Sequence, residues 1–557
     1  MIIIINSEII NQDKRIVILA NNMACGDNPS ETISIHLSPI FNNSQYVKSK
    51  SSFIDKLLGN DITDMGLTSY FKKDQNWIGF NSFKINKRNY DKIVKIIRYN
   101  FWSNYIIDKL YVYGPVGSIS NGVYNVFTNY TFWIGYKENR IVEANLTCDY
   151  PKIIEMNGTI SMDYRVRWFE SGLKSLHSNE IVELGAKNYY MKFSTVNSAI
   201  IALVLIIVVI IHYYKVYHSD PTRNNLKAPF DSIDYDFIIE RGWKALHGDV
   251  FREPLHSHFL SFMFGFGVHF FFSFLIYSFL SKFSILPVLS SKALLFIISL
   301  FASSPISGFL MAFISKTLGH KKWLRDVLLL GLGYPSFILC FLIIKSNLSL
   351  FFGFSHRIPL YALSIIVFLI VTIVIPLWGI GGWIFRKIKI FDRINGETGI
   401  IARKVGNLPW WIPLPLLMVF YGLIISSTFF VNLHYLYTYI WTDKNQICWE
   451  NMIFGLFLMI IVSSMCSIQV VFLLFQYENS HWYWPSFLSG SSSIVYFIVF
   501  SIRFYQRQTN MHGVFQKFMF FSISIVISLG LGLSCGAFGL IGAKMMVNKI
   551  FLNLKAD

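Results

Sequence analysis

The alternation of apolar and polar positions divides the chain near residue 197. Beyond it lie nine apolar segments, at 197–216, 257–281, 292–315, 325–345, 359–385, 412–436, 451–476, 487–505 and 515–541. Each is long enough to cross about 30 Å of hydrocarbon as a helix, the form in which a single segment satisfies its own backbone groups in lipid. Residues 1–196 are polar, with short runs such as 130–134 and 140–146 in which β-branched and aromatic residues recur between turn residues. Such runs fit the pleated, half-buried surface of a sheet and predict strands. Residues 87–107 space their apolar positions closer to a helical period and predict one helix. The expected fold class is an α-helical polytopic membrane protein of nine transmembrane helices with an N-terminal β-rich, sandwich-like domain. Its parts are the domain (1–196), the first transmembrane helix (197–216), a loop (217–256), an eight-helix bundle (257–541) and a tail (542–557).

Composition agrees with a membrane location. Of the 557 residues, 53% are hydrophobic and 15% charged, and the mean hydropathy is +0.46; a soluble chain carries about a quarter charged residues. The net charge of +17 is assigned to loops facing anionic lipid and not to nucleic acid, because no basic and aromatic cluster marks a soluble footprint. With the N-terminal domain luminal, the cytosolic stretches hold Arg223, Lys227, Arg241, Lys244, Arg252, Lys316, Lys321, Lys322, six cations between 386 and 404, and Lys544, Lys549 and Lys555. The opposite loops hold Lys282, Arg357, Lys444 and Arg507. This asymmetry predicts a luminal domain and a cytosolic tail. The first residues, Met1 to Asn6, lack a basic region and are too short for a signal peptide. A start internal to a longer sequence is therefore expected, in preference to an uncleaved reverse anchor.

The chemistry legible in the sequence is sparse. Cys25, Cys148, Cys340, Cys448, Cys466 and Cys535 form no metal-binding spacing, so no metal site and no cofactor are expected. A Cys25–Cys148 disulfide is open but unforced. Asn42, Asn129, Asn145 and Asn157 each begin an Asn-x-Ser/Thr triplet and are candidate glycan acceptors if the domain is luminal. His269 lies mid-span and is expected to be packed or hydrogen-bonded. Asp326 and Glu450 lie at span ends and are read as boundary markers. No catalytic constellation stands out, so the chain is not expected to be an enzyme. Glycines at 379, 381, 382, 530, 532, 536, 539 and 542 allow close helix approach, either within the bundle or against the helices of a cargo protein.

Between the first and second spans runs Gly242-Trp243-Lys244-Ala245-Leu246-His247-Gly248-Asp249-Val250-Phe251-Arg252. Further ordered segments are Asn28-Pro29-Ser30-Glu31-Thr32, Phe193-Ser194-Thr195-Val196-Asn197-Ser198, Ser304-Pro305, Gly308, Trp323, Tyr334-Pro335, Glu478-Asn479, His481-Trp482-Tyr483-Trp484 and Ser486-Phe487. The ordered set resembles the nonaspanin family, the transmembrane-nine superfamily. Where that family carries a Pro and a Glu in its sixth span and an acid in its seventh, this chain has Phe420, Ser427 and Met465, with Gln469 nearby.

The resemblance implies a Golgi or endosomal protein that helps sort and localise other membrane proteins, with membrane lipid, transmembrane cargo and coatomer-type coats as partners. It also likens the terminal Lys555-x-Asp557 to a coat-binding retention signal. The alternatives are a secondary transporter or channel, for which Pro376, Pro413 and Pro415 suggest broken helices, and an adhesion or receptor role of the luminal domain. In the 242–254 block the Asp249 carboxylate, near anionic lipid, is expected to be paired with a nearby backbone amide, Lys or Arg. The block is predicted to form a folded lid bracing spans one and two, with Gly248 in a tight turn.

Overall fold

A computed structural model describes residues 15–25, 47–48, 63–98, 101–107, 110–120, 122–138, 140–156, 158–171, 178–218, 246–283, 292–320, 323–352, 360–388, 413–441, 449–509 and 514–551. The N-terminal strands are β1 (Arg15–Cys25), β2 (Val47–Lys48), β3 (Thr63–Tyr70), β4 (Gln75–Lys84), β5 (Phe101–Ile107), β6 (Leu110–Pro115), β7 (Gly117–Ser120), β8 (Val123–Lys137), β9 (Arg140–Ile153) and β10 (Thr159–Glu170). One sheet has the order β2-β3-β1-β5-β6 and the other β4-β10-β8-β7, with β9 also on β8. β8 and β10 run parallel, Asp163 opposite Asn129 through Glu170 opposite Tyr136, while the other pairs are antiparallel. Leu67, Tyr105, Ile107 and Val112 of the first sheet share one buried core with Phe132, Ile134, Ile141 and Val166 of the second. Tyr105 meets Phe132 edge-on at 5.3 Å across that core. The two runs read as strands lie in β8 and β9.

The expected helix over 87–107 is corrected by this sheet. Helix α1 covers only Lys87–Arg98 and places Ile93, Ile96 and Ile97 in the sandwich core. Residues 101–107 are strand β5, where Ser103, Tyr105 and Ile107 are buried at every second position. Pairing with β1 and β6 decides the conformation there, over a spacing that suited either element.

The remaining helices are α2 (Ser178–His218), α3 (Ser257–Phe283), α4 (Lys292–Thr317), α5 (Trp323–Phe352), α6 (Leu360–Leu369), α7 (Ile375–Lys387), α8 (Leu414–Ser427), α9 (Phe430–Trp441), α10 (Trp449–Gln476), α11 (Tyr483–Ser491), α12 (Ser493–Gln508) and α13 (Val514–Phe551). Among the described residues seven helical segments have the length and hydropathy to cross a membrane, or eight if the bent pair α8–α9 is one span. The expected nine is not confirmed by this count. The fourth expected segment falls on the 30-residue helix α5, which the count does not include, and the sixth is interrupted by a 61° bend.

The interruptions have local causes. Pro376 has no N–H to donate, and its ring crowds the preceding turn. Residues Ile370–Val374 just before it widen into a π turn in which the Ile375 N–H reaches the Ile370 carbonyl. At the α8–α9 break the N–H groups of Thr428 and Phe429 turn back to the carbonyls of Ile425 and Ser426.

Helix contacts inside the bundle run through small residues. A Cβ on Gly308 would collide with the Trp378 carbonyl, and one on Gly381 with that of Pro305, so α4 and α7 touch backbone to backbone. Gly530, Gly532, Gly536, Gly539 and Gly542 of α13 likewise face Phe270, Ile494, Phe487, Ser467 and Ser464. These glycines are used within the bundle, whereas Gly379 faces open space. In the purified protein, Gly308→Ala is expected to destabilise by about 1–3 kcal/mol through overpacking. Gly379→Ala is expected to be neutral or slightly stabilising. Thermal unfolding in detergent checks both, and equal effects would refute the assignment.

Candidate functional site

The polar groups with the most elaborate surroundings gather at one end of the bundle, where α3, α5, α11 and α13 have termini. The run leading into α3 folds as a turn: the N–H groups of Asp249 and Val250 donate to the Leu246 carbonyl at 3.0 Å, and Arg252 N–H to that of Asp249 at 3.1 Å. Asp249 is buried, and its Oδ1 accepts from Arg252 Nε at 3.0 Å and Nη2 at 2.7 Å. The carboxylate thus has a cationic partner three residues away. Leu246, Val250 and Phe251 enter the main core with Phe264, Phe475, Trp482, Val547 and Phe551.

Two indoles fix this turn from outside it. Trp482 Nε1 donates to the Val250 carbonyl at 2.9 Å and Trp484 Nε1 to that of Leu255 at 2.7 Å. From α13, the Lys544 ammonium lies 4.6 Å over the Phe251 ring, and Phe551 lies 6.4 Å from His247. The block is therefore folded against the end of the bundle, held by Trp482 and Trp484 and by α13 as well as by α3, the second expected span; Val209 and Tyr213 of α2 pack against the same core cluster. Gly248 lies within this tight turn, as expected, and the left-handed residue of the segment is His256, at φ 55°, whose carbonyl receives the Phe259 and Leu260 N–H groups at the start of α3. Gly242, Trp243 and Lys244 lie outside the described residues.

Beside the turn stands a cluster absent from the sequence expectations. His258 Nδ1 is 2.8 Å from Asp326 Oδ1, and His320 Nδ1 contacts Asp326 Oδ2. The imidazole rings lie 4.2 Å apart with a 31° tilt. Ser257 Oγ donates to Glu253 Oε1 at 2.5 Å and lies 2.9 Å from His320 Nε2, with Glu253 Oε1 at 3.4 Å from the same nitrogen. The side chains of Asp326 and His320 are 1% and 4% exposed, that of His258 54%. Burial works against a charged ring at His320, but the hydrogen bond and charge of Asp326, with those of Glu253, outweigh it and raise its pKa above the ordinary value. Asp326 is thus no boundary residue in water. Glu450 does fit that reading: it is exposed and pairs with Lys282 at 3.0 Å.

The remaining candidates are dispersed. His269 is buried, with Nε2 3.1 Å from Ser303 Oγ and 3.3 Å from the Leu300 carbonyl, and it packs edge-on to Trp378. Asn145 is exposed on β9 and donates to Glu143 at 3.1 Å, while Asn129 is half-buried in β8. The Cys148 thiol is free, and burial pushes its pKa up to about 12, so the open disulfide is not formed. Asn42, Asn157, Lys555 and Asp557 lie outside the described residues.

A family model described as endomembrane protein 70 matches residues 36–514. The chain belongs to the endomembrane protein 70 family. Its relatives are Transmembrane 9 superfamily members, which bears out the nonaspanin resemblance. Member 2 from Arabidopsis thaliana is 22% identical over 97% of this chain and 93% of its own length. Member 1 from Pongo abelii is 22% identical over the same shares. A Dictyostelium discoideum relative with phagocytic receptor in its name is 21% identical over 99% of this chain and 96% of its own. No solved structure matches. Membership and the apolar helices make this endomembrane protein 70 chain an integral membrane protein.

The indole clasps make a direct prediction. Trp482→Phe keeps a ring stacked on Tyr483, now 4.0 Å away, but strands the buried Val250 carbonyl, which is expected to cost about 1–3 kcal/mol. Trp484→Phe, whose bond is exposed, is expected to cost less. Melting temperature and protease cleavage within 246–256 are the readouts; an insensitive Trp482→Phe would refute the clasp.

Proposed function

We propose that this chain is a nonaspanin-like protein of the Golgi and endosomal system that assists the sorting and localisation of other membrane proteins, without catalysing a reaction. The observation that carries the reading is the family match over nearly the whole chain. Supporting it is α2, whose apolar window is only 11% buried. Its Ile200, Leu203, Val204, Ile207, Ile210 and Ile211 are all more than half exposed. Such a stripe faces lipid or the transmembrane helix of a cargo protein. In this reading the N-terminal domain is luminal, Asn145 is an accessible glycan acceptor, and Lys555 and Asp557 present a cytosolic epitope to a coatomer-type coat.

One observation favours a solute pathway as a second reading. The α8–α9 break places Ser426, Thr428 and Asn432, all buried, around an interrupted span, and broken helices can build midplane sites.

Proximity labelling of the intact protein in cells is expected to recover multispan membrane proteins and early-secretory coats, and a Lys555→Ala/Asp557→Ala variant to lose the coats and move toward the cell surface. Recovery of soluble cytosolic complexes alone, with the variant unmoved, would refute the sorting role. Saturable flux of a small solute in reconstituted vesicles would establish the second reading in its place.

A further inference from the structure

We propose that His258, His320 and Asp326 form a binding site for a divalent metal ion of the zinc class. The three side chains come from the first turn of α3, the α4–α5 connection and the first turn of α5, and their donor atoms lie within 4.8 Å of one another. Both imidazoles turn Nδ1 toward the same carboxylate, one to each oxygen.

The hydrogen-bond order around His320 decides what its Nδ1 offers. Ser257 has one hydroxyl proton, and at 2.5 Å it goes to Glu253 Oε1. Ser257 Oγ must then accept from His320 Nε2–H at 2.9 Å. With Nε2 protonated, Nδ1 of the neutral ring presents a lone pair to the carboxylate oxygen of Asp326. Two acceptors in contact need a cation between them, either a second proton on the ring or a metal ion. The Glu253–Ser257–His320 chain is also the outer-shell arrangement that fixes the tautomer of a metal-binding histidine.

The donor set selects the ion. Two imidazole nitrogens and one carboxylate oxygen suit zinc and its first-row neighbours, whereas calcium and magnesium prefer all-oxygen shells. Bond lengths of about 2.0 Å in a tetrahedron put neighbouring donors about 3.3 Å apart, so the 2.8 Å His258–Asp326 pair opens slightly to admit the ion. His258 moves most easily, because its side chain is half in solvent. The fourth position falls on that exposed side and is taken by water. The ion joins α3 to α5 and to the α4–α5 connection.

The test uses the full chain purified in detergent, stripped with chelator and titrated with Zn²⁺ or Co²⁺. About one bound ion per chain is expected by elemental analysis, with Co²⁺ showing the intense visible bands of a tetrahedral site and Zn²⁺ raising the melting temperature. His258→Gln, at the exposed ligand, is expected to weaken binding at least tenfold and to abolish the bands. Glu253→Gln, in the outer shell, is expected to weaken it by about 10–100-fold, and Glu450→Gln to change nothing. Metal-free melting temperatures equal to that of the unsubstituted protein certify the fold of His258→Gln. No stoichiometric binding, or His258→Gln binding as tightly with unchanged Co²⁺ bands, overturns the proposal and leaves the cluster a proton-bridged pair.

Discussion

The contact on which this bundle depends is backbone against backbone at glycine. Gly267 of α3 lies against the Leu533 carbonyl of α13 so closely that a Cβ has no room, and Ser534 Oγ donates to the Gly267 carbonyl at 2.8 Å. In lipid, apolar side chains gain nothing by leaving one hydrocarbon for another, so association rests on close packing and on hydrogen bonds that small residues permit. The same device recurs where Ser463 donates to the Cys535 carbonyl at 2.5 Å and Ser467 to that of Ser486 at 2.9 Å. These contacts set the spacing of α3, α10, α11 and α13, and with it the place where their ends meet.

At that end the problem changes from packing to polar satisfaction. A turn docked on apolar side chains carries carbonyls that water cannot reach, and Trp482 supplies a donor while its ring fills the space around it. Lys544, 1% exposed, leans on Phe251 and meets no anion among the described residues. Asp249 and Arg252 neutralise each other within the turn, which leaves Glu253 to face Ser257 and His320. Neighbouring residues of one segment thus serve two structures, the clasped turn and the histidine cluster.

Much of the architecture was legible because its signals are periodic. The long apolar segments fall on helices, and the β-branched and aromatic runs at 130–134 and 140–146 fall in β8 and β9. Residues 101–107 were misread because Trp102, Tyr105 and Ile106 also recur at intervals of three and four, and only the partner strands choose between the periods. Asp249 was legible because its partner lies three residues away. The histidine cluster was not, since its members stand at 258, 320 and 326 and Asp326 has the position of an ordinary acid in a helix's first turn. The signal that could have found it was the pairing of that acid with His320 six residues ahead of it.

The interior of the spans is filled differently. With Phe420, Ser427 and Met465 in the sixth and seventh expected spans and His269 enclosed by Leu300, Ser303 and Trp378, hydroxyls, amides and imidazoles are the polar groups there. Ser426, Ser464 and Thr428 each return a hydroxyl proton to a backbone carbonyl three or four residues earlier, which satisfies the group locally and leaves it little to offer a passing ion. Charged chemistry is instead concentrated at the bundle's end, on segments joined by short connections. The cluster ties the first turns of α3 and α5 to the connection that precedes α5. The middle of the membrane then needs only to hold those helices together.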